Sequence, residues 1–338
     1  MQTEFPHNQS AHCESGVAAN LLSHRGIPLS EAMAFGMGGG LFFGYLPFIR
    51  INQLPLVTYR SAAGSILKRL ARAPGVRLHQ RTFRSQQQAM EALDQALARS
   101  IPVGLQTGVY WLPYFPRALR FHFNAHNLVV FAKEGDDYLI SDPVFPQPVR
   151  CPAADLARAR FASGALAPRG KMYYLEQVPE SLEPAPLIRA GIGSVCRMML
   201  KSPLPLIGVK GIDFLARRLA SWPRRLGRER ADLHLGHVVR MQEEIGTGGG
   251  GFRFMYAAFL QESAALLAEP GLEAAASALT AVGDRWRSFA VMAARICKDR
   301  PQAEDSYPAM AAIIHDCGAR ERQVYQELSA WLRSAPCR

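Results

Sequence analysis

Strand-forming segments run through residues 102–178 and stop at PESLEPAPL (179–187); none returns afterwards. Short runs rich in Val, Leu, Tyr and Phe build sheets, whereas stretches dominated by Ala, Leu, Arg and Glu build packed helices. The Pro-rich polar stretch between them reads as a linker. Two domains are therefore expected, residues 1–180 and 181–338, the first α+β and the second all-helical.

In the first half, ESGVAANLLSH (14–24) places Val17, Ala18, Leu21 and Leu22 at helical spacing and ends at Gly26 and Pro28. Ser30 can cap a short helix, SEAMAF, that stops at a flexible GMGGG (36–40). Helices are expected at 61–72 and at 85–99, where Met90, Leu93 and Leu97 share a face. The expected strands are 102–108, 127–133, 137–142 and 171–178. GDD (135–137) is a turn, so 127–142 reads as a hairpin. Past the linker, helical segments are expected near 188–201, 205–221, 229–246, 252–269, 271–298 and 306–333.

No run of 18 uncharged apolar residues is present, which argues against a membrane span. The polar N-terminus lacks a signal-peptide pattern, so a cytoplasmic location is expected. The six cysteines are Cys13, Cys151, Cys196, Cys297, Cys317 and Cys337. They are scattered, without a CxxC pair, and read as reduced thiols rather than zinc ligands. His122 and His126 are four apart in a segment that is not helical, and no metal is expected. The formal net charge of +11 peaks in RRLASWPRRLGRERAD (217–232). No helix-turn-helix, finger or stacking motif accompanies it, so nucleic acid is not the expected partner. A solvated basic face, an acidic protein partner and an anionic phosphate arm all suit such a charge.

Cys13 stands just ahead of an apolar helical pattern, where backbone N–H groups and the helix dipole favour thiolate and could hold an oxyanion. His126 opens an apolar strand in FHFNAHNLVV, and Asp142 closes the next strand at the same end of the hairpin. A carboxylate there can take the imidazole N–H and fix the tautomer that accepts a thiol proton. The simple register of a GDD turn sets residue 129, not 126, opposite Asp142, so the strand must bulge or twist. The aromatic stretches YWLPYF (110–115) and GGGLFFGYLPF (38–48) offer cover for an apolar acyl channel.

HCESGVAANLLSHRGIPLSEAMAFGMGGGLFF, then YWLPYF with HFNAHNLVVF, then YLISDP, resemble the N-terminal domain of the butirosin-biosynthesis H protein family. That domain is related to papain-like folds of the bacteriocin-leader peptidase type. WPRRL (222–226) and GTGGGGFRFMYAAFLQES (246–263) resemble the helical domain that commonly follows it. The resemblance implies transfer of an acyl chain from the phosphopantetheine thioester of an acidic acyl or peptidyl carrier protein to an amine or hydroxyl acceptor. By matching position, Cys13 takes the acyl group, His126 shuttles the proton and Asp142 holds His126. No permanently bound cofactor is implied. A papain-type site has a Gln in its oxyanion hole; Gln9 is the nearest here, and His7 stands six before Cys13.

Gln9, Glu14, Tyr110, Tyr114 and Asn124 complete the expected oxyanion and substrate contacts. Arg253 with the GTGGGG loop is a candidate contact for the phosphate of the arm. A thioesterase or peptidase would use the same triad, because water and amine attack one intermediate. The helical domain could cover the cleft, choose the acceptor or form a homodimer.

Overall fold

The computed structural model describes residues 5–51 and 53–334; Cys337 lies outside the described residues. Along the chain, α1 (Cys13–His24) and α2 (Glu31–Met37) lead into a hairpin of β1 (Leu41–Ile51) and β2 (Leu54–Arg60). Next come α3 (Ser65–Leu70), β3 (Arg77–Arg81), α4 (Gln86–Ala98), β4 (Val103–Thr107), β5 (His126–Glu134) and β6 (Asp137–Ser141). β7 (Val149–Pro152), α5 (Ala153–Arg160) and β8 (Met172–Gln177) end the mixed part. Thereafter the chain is helical: α6 (Pro184–Lys201), α7 (Gly208–Ala220), α8 (Trp222–Leu226), α9 (Arg228–Glu243), α10 (Arg253–Leu267), α11 (Pro270–Cys297) and α12 (Tyr307–Ser334). None of these helices is long and apolar enough to cross a membrane.

The chain divides into two units that are discontinuous in sequence. One holds the residues up to Ala34 together with Ala63–Glu183, and the other holds Phe35–Ala62 together with the chain from Pro184 onward. A single cut at 180/181 therefore misassigns residues 35–62.

In the first unit the strands form an antiparallel sheet in the order β3-β8-β4-β5-β6-β7. Period-2 alternation gives the sheet two buried faces. Leu128 and Val130 of β5 and Val103 and Leu105 of β4 share a core with Ala89, Leu93 and Ala96 of α4 and Leu156 and Ala159 of α5. Helix α1 packs on β5 and β8. Its first ten residues, Cys13 to Leu22, are all buried. Small residues allow that approach: a side chain at Gly16 would meet Pro143 and Ser10 at 2.7 Å.

The second unit takes in the β1–β2 hairpin because its aromatic side chains have partners there. Phe43 lies 5.3 Å from Tyr59 and 6.0 Å from Trp286, and Tyr45 lies 5.9 Å from Phe214 and 6.4 Å from Trp222. GGGLFFGYLPF is thus largely a strand with a buried face rather than a pliable cover for an acyl channel. GMGGG likewise forms a hydrogen-bonded turn, Gly39 N–H to Gly36 O at 2.8 Å and Gly40 N–H to Phe35 O at 2.8 Å. β1, β2, β3, β7 and α5 were not expected, and α3 is shorter than the helix expected at 61–72.

Candidate active site

Cys13 is the first residue of α1, and the chain before it is pinned. His12 is the N-cap, its Nδ1 accepting from Ser15 N–H at 3.4 Å. The Glu31 carboxylate accepts the N–H groups of Ala11 at 3.0 Å and His12 at 2.6 Å. Burial pushes the Glu31 carboxyl up, against the pull of those donors. The thiol thus sits on a fixed helix N-terminus, where the dipole favours negative charge.

His126 opens β5, and Asp142 follows directly on β6. In the ladder Glu134 pairs with Asp137 and Ala132 with Leu139, but Val130 pairs with Ile140 and Val129 with Ser141. Phe131 is the extra residue, a bulge in β5. It moves Asp142 from the position opposite Val129 to that opposite Leu128, on the face of the strand that also carries His126. The two side chains become diagonal neighbours, and His126 Nε2 donates to Asp142 Oδ2 at 2.7 Å.

Two further donors hold that carboxylate: Tyr114 O–H on Oδ2 at 2.8 Å and Val144 N–H on Oδ1 at 3.2 Å. Phe115 stands edge-on to the His126 ring at 5.5 Å. With Nε2 on Asp142, Nδ1 is left to face Cys13, whose thiol hydrogen-bonds the imidazole. Burial opposes a charge on His126. The Asp142 carboxylate overcomes it by charge and hydrogen bond, the thiol adds to the same side, and the pKa is pushed up to about 10. Across neutral pH the arrangement favours an imidazolium beside the sulfur. All three groups are shielded, with Cys13 8%, His126 4% and Asp142 0% exposed.

Asn127 and Tyr173 belong to the site and were not anticipated. Asn127 Nδ2 points at Cys13 Sγ from 3.9 Å and donates to Ala125 O at 3.0 Å, while its Oδ1 accepts from Tyr173 O–H at 2.8 Å. The available sign was an amide at the head of an otherwise apolar strand, NLVVF.

The remaining expected residues have other duties. Gln9 is exposed and reaches Val144 O at 3.5 Å, and His7 bonds Ser141 Oγ and Phe145 O, so neither is held on the thiol by these contacts. Glu14 is a structural anion: its buried carboxylate accepts from Gly64 N–H and Ile66 N–H, both at 2.9 Å, where α3 begins. Asn124 ties a loop together through Ser163 O at 2.9 Å and Ala165 O at 3.0 Å. Tyr110 is 43% exposed and stacks on His122 at 4.3 Å.

Arg253 cannot greet a phosphate. It is wholly buried in the second unit, with Nε and Nη2 on Glu321 at 3.0 and 2.9 Å and Nη1 on Gly251 O at 2.7 Å. The GTGGGG loop is already occupied by protein: Gly250 N–H points at both Glu243 oxygens at 3.2 Å. Gly251 has φ +59°, and a side chain there would strike the Tyr59 ring at 2.3 Å.

Residues 12–143 match the family model for the N-terminal domain of butirosin biosynthesis protein H. Residues 154–328 match a domain of unknown function, DUF4872. No curated protein matches the chain. Among solved structures, a C39-like peptidase from Bacillus anthracis is similar at 15% identity and a TM-score of 0.37, over 52% of this chain and 97% of that one.

Proposed function

We propose that this chain, which belongs to the DUF4872 family and carries an N-terminal domain of the butirosin biosynthesis protein H type, is a cysteine-dependent acyltransferase. It takes an acyl group from a carrier-protein thioester onto Cys13 and passes it to an amine or hydroxyl acceptor. The observation that carries this reading is His126 bonded to Asp142 on one side and to the Cys13 thiol on the other.

In the first step the Cys13 thiolate attacks the thioester carbonyl. The new Sγ–C bond replaces the bond to the donor sulfur, and the imidazolium proton goes to the departing thiolate. Exchange between two sulfurs is nearly isoenergetic. The first turn of α1 directs its dipole at the oxyanion that forms. In the second step an amine attacks the Cys13 thioester, neutral His126 takes its proton, and Cys13 leaves as thiolate. The ion pair is thereby restored.

The shielding of the triad favours transfer, since a covalent thioester survives for an acceptor only where water is scarce. Intact-mass measurement of wild type and Cys13→Ala with a panel of acyl thioesters tests the proposal. An acyl adduct is expected on the wild type alone, with amide released when an amine is added. Release of free acid at one rate with or without amine would make the protein a thioesterase, and absence of any adduct would remove Cys13 from the chemistry.

A further inference from the structure

The basic stretch 217–232 is only partly neutralised. Arg228 pairs with Asp232 at 2.7 Å, and the cavity that Arg228 lines with Arg224 also carries Asp305. A second cavity in the same unit, about 190 Å³, is different. Arg50 of β1, Arg218 of α7 and Arg225 of α8 line it together with His234 of α9, and no carboxylate among the described residues does.

Its walls are built. Tyr45 and Trp222 are 2% and 4% exposed, and the Trp222 indole N–H bonds the Tyr45 hydroxyl. The Arg218 guanidinium lies over Phe214 at 5.6 Å, and Trp222 meets the His234 ring edge-on at 5.6 Å. His234 Nδ1 is buried without a hydrogen-bond partner. Burial and the charges of Arg230 and Arg50 push the His234 ring below its usual range, as an electropositive pocket would. Three guanidinium groups around one cavity repel one another until an anion enters. Their planar forks suit a phosphate group, which each can hold through two N–H donors.

We infer that this pocket binds a phosphate ester, its phosphate held by Arg50, Arg218 and Arg225 and its organic part resting on Trp222. The same chemistry is offered by a free phosphorylated metabolite and by the phosphodiester arm of a carrier protein. The pocket is independent of the chemistry at Cys13.

Calorimetric titration of the full chain at fixed ionic strength tests the inference, using inorganic phosphate, 4′-phosphopantetheine and pantetheine as probes. Both phosphate-bearing probes should bind, and pantetheine should bind at least about tenfold more weakly than its phosphate. Arg225→Gln and Arg218→Gln should each weaken phosphate binding about tenfold, while Arg217→Gln, exposed on α7 and outside the pocket, should not. Phosphopantetheine binding tighter than phosphate identifies the arm as the source, and equal binding identifies the free group; both uphold the site. Cys13→Ala should bind as wild type does, so failure of the acyltransfer proposal leaves this result untouched. Equal affinity for pantetheine and its phosphate, an Arg225→Gln variant as tight as Arg217→Gln, or binding of polyglutamate but of neither phosphate probe would overturn it.

Discussion

The imidazole of His126 reaches the Asp142 carboxylate at 2.7 Å because β5 carries one residue more than β6 across their ladder. That carboxylate holds the proton on the ring. In Asp142→Asn an amide cannot do so, and His126 titrates well below about 10. The alkaline limb of the pH–rate profile should therefore move toward neutrality, with turnover down by roughly 10²–10⁴. A mutant whose alkaline limb stays in place would remove Asp142 from this role.

The same titration is a stability statement. His126 has a pKa of about 10 in the fold against about 6.5 in an unfolded chain, so the fold binds its proton more tightly. The stabilisation is fully present below about 6.5, shrinks as pH rises, and is gone above about 10. Urea denaturation of wild type and His126→Gln between these limits should show the wild-type advantage narrowing with pH. An advantage that widens would contradict the assigned direction.

Glu14 serves the fold rather than the substrate. Replacing it by alanine strands Gly64 N–H and Ile66 N–H and should cost about 1.5–3 kcal/mol. Thermal melting should report the loss, while acyl loading per folded molecule stays near wild type. The opposite result, unchanged melting with lost loading, would return Glu14 to the substrate.

Arg253 and Glu321 are both wholly buried and form a bidentate pair. Arg253→Ala leaves a buried carboxylate without its countercharge and should cost about 3–5 kcal/mol in denaturant unfolding. The double change Arg253→Met with Glu321→Leu should recover only part of that, because the buried Trp286 Nε1–H and Tyr325 O–H then lose their carboxylate acceptor. A single mutant of normal stability would mean that the pair is not the anchor of the GTGGGG loop.

The two fold classes were legible in the sequence, and so was the nearness of His126 to Asp142, because each leaves a local signature. Cys13 precedes an apolar helix, His126 heads an apolar strand, and the turn at 135–136 fixes a hairpin. The need for a bulge could be deduced from register alone, but its place at Phe131 could not. Glu14 reads as a substrate contact because it stands beside Cys13, while the Gly64 and Ile66 amides that it holds lie 50 and 52 positions away. Arg253 was misread for the same reason: its partner is 68 positions away. Asn127 and Tyr173 matter through contacts between strands that no spacing announces.

A polypeptide ending at the Pro-rich linker would contain residues 35–62 but none of Phe214, Trp222 or Trp286, against which that hairpin's aromatic rings rest. Such a fragment would carry an uncovered apolar ribbon and should stick to itself. The same order of events faces the ribosome. At about 5–20 residues per second, the hairpin emerges several seconds before its helices, with 63–183 made in between. The natural unit for expression, circular permutation or chaperone dependence is thus the whole chain, and its two halves should not be separable by a single cut.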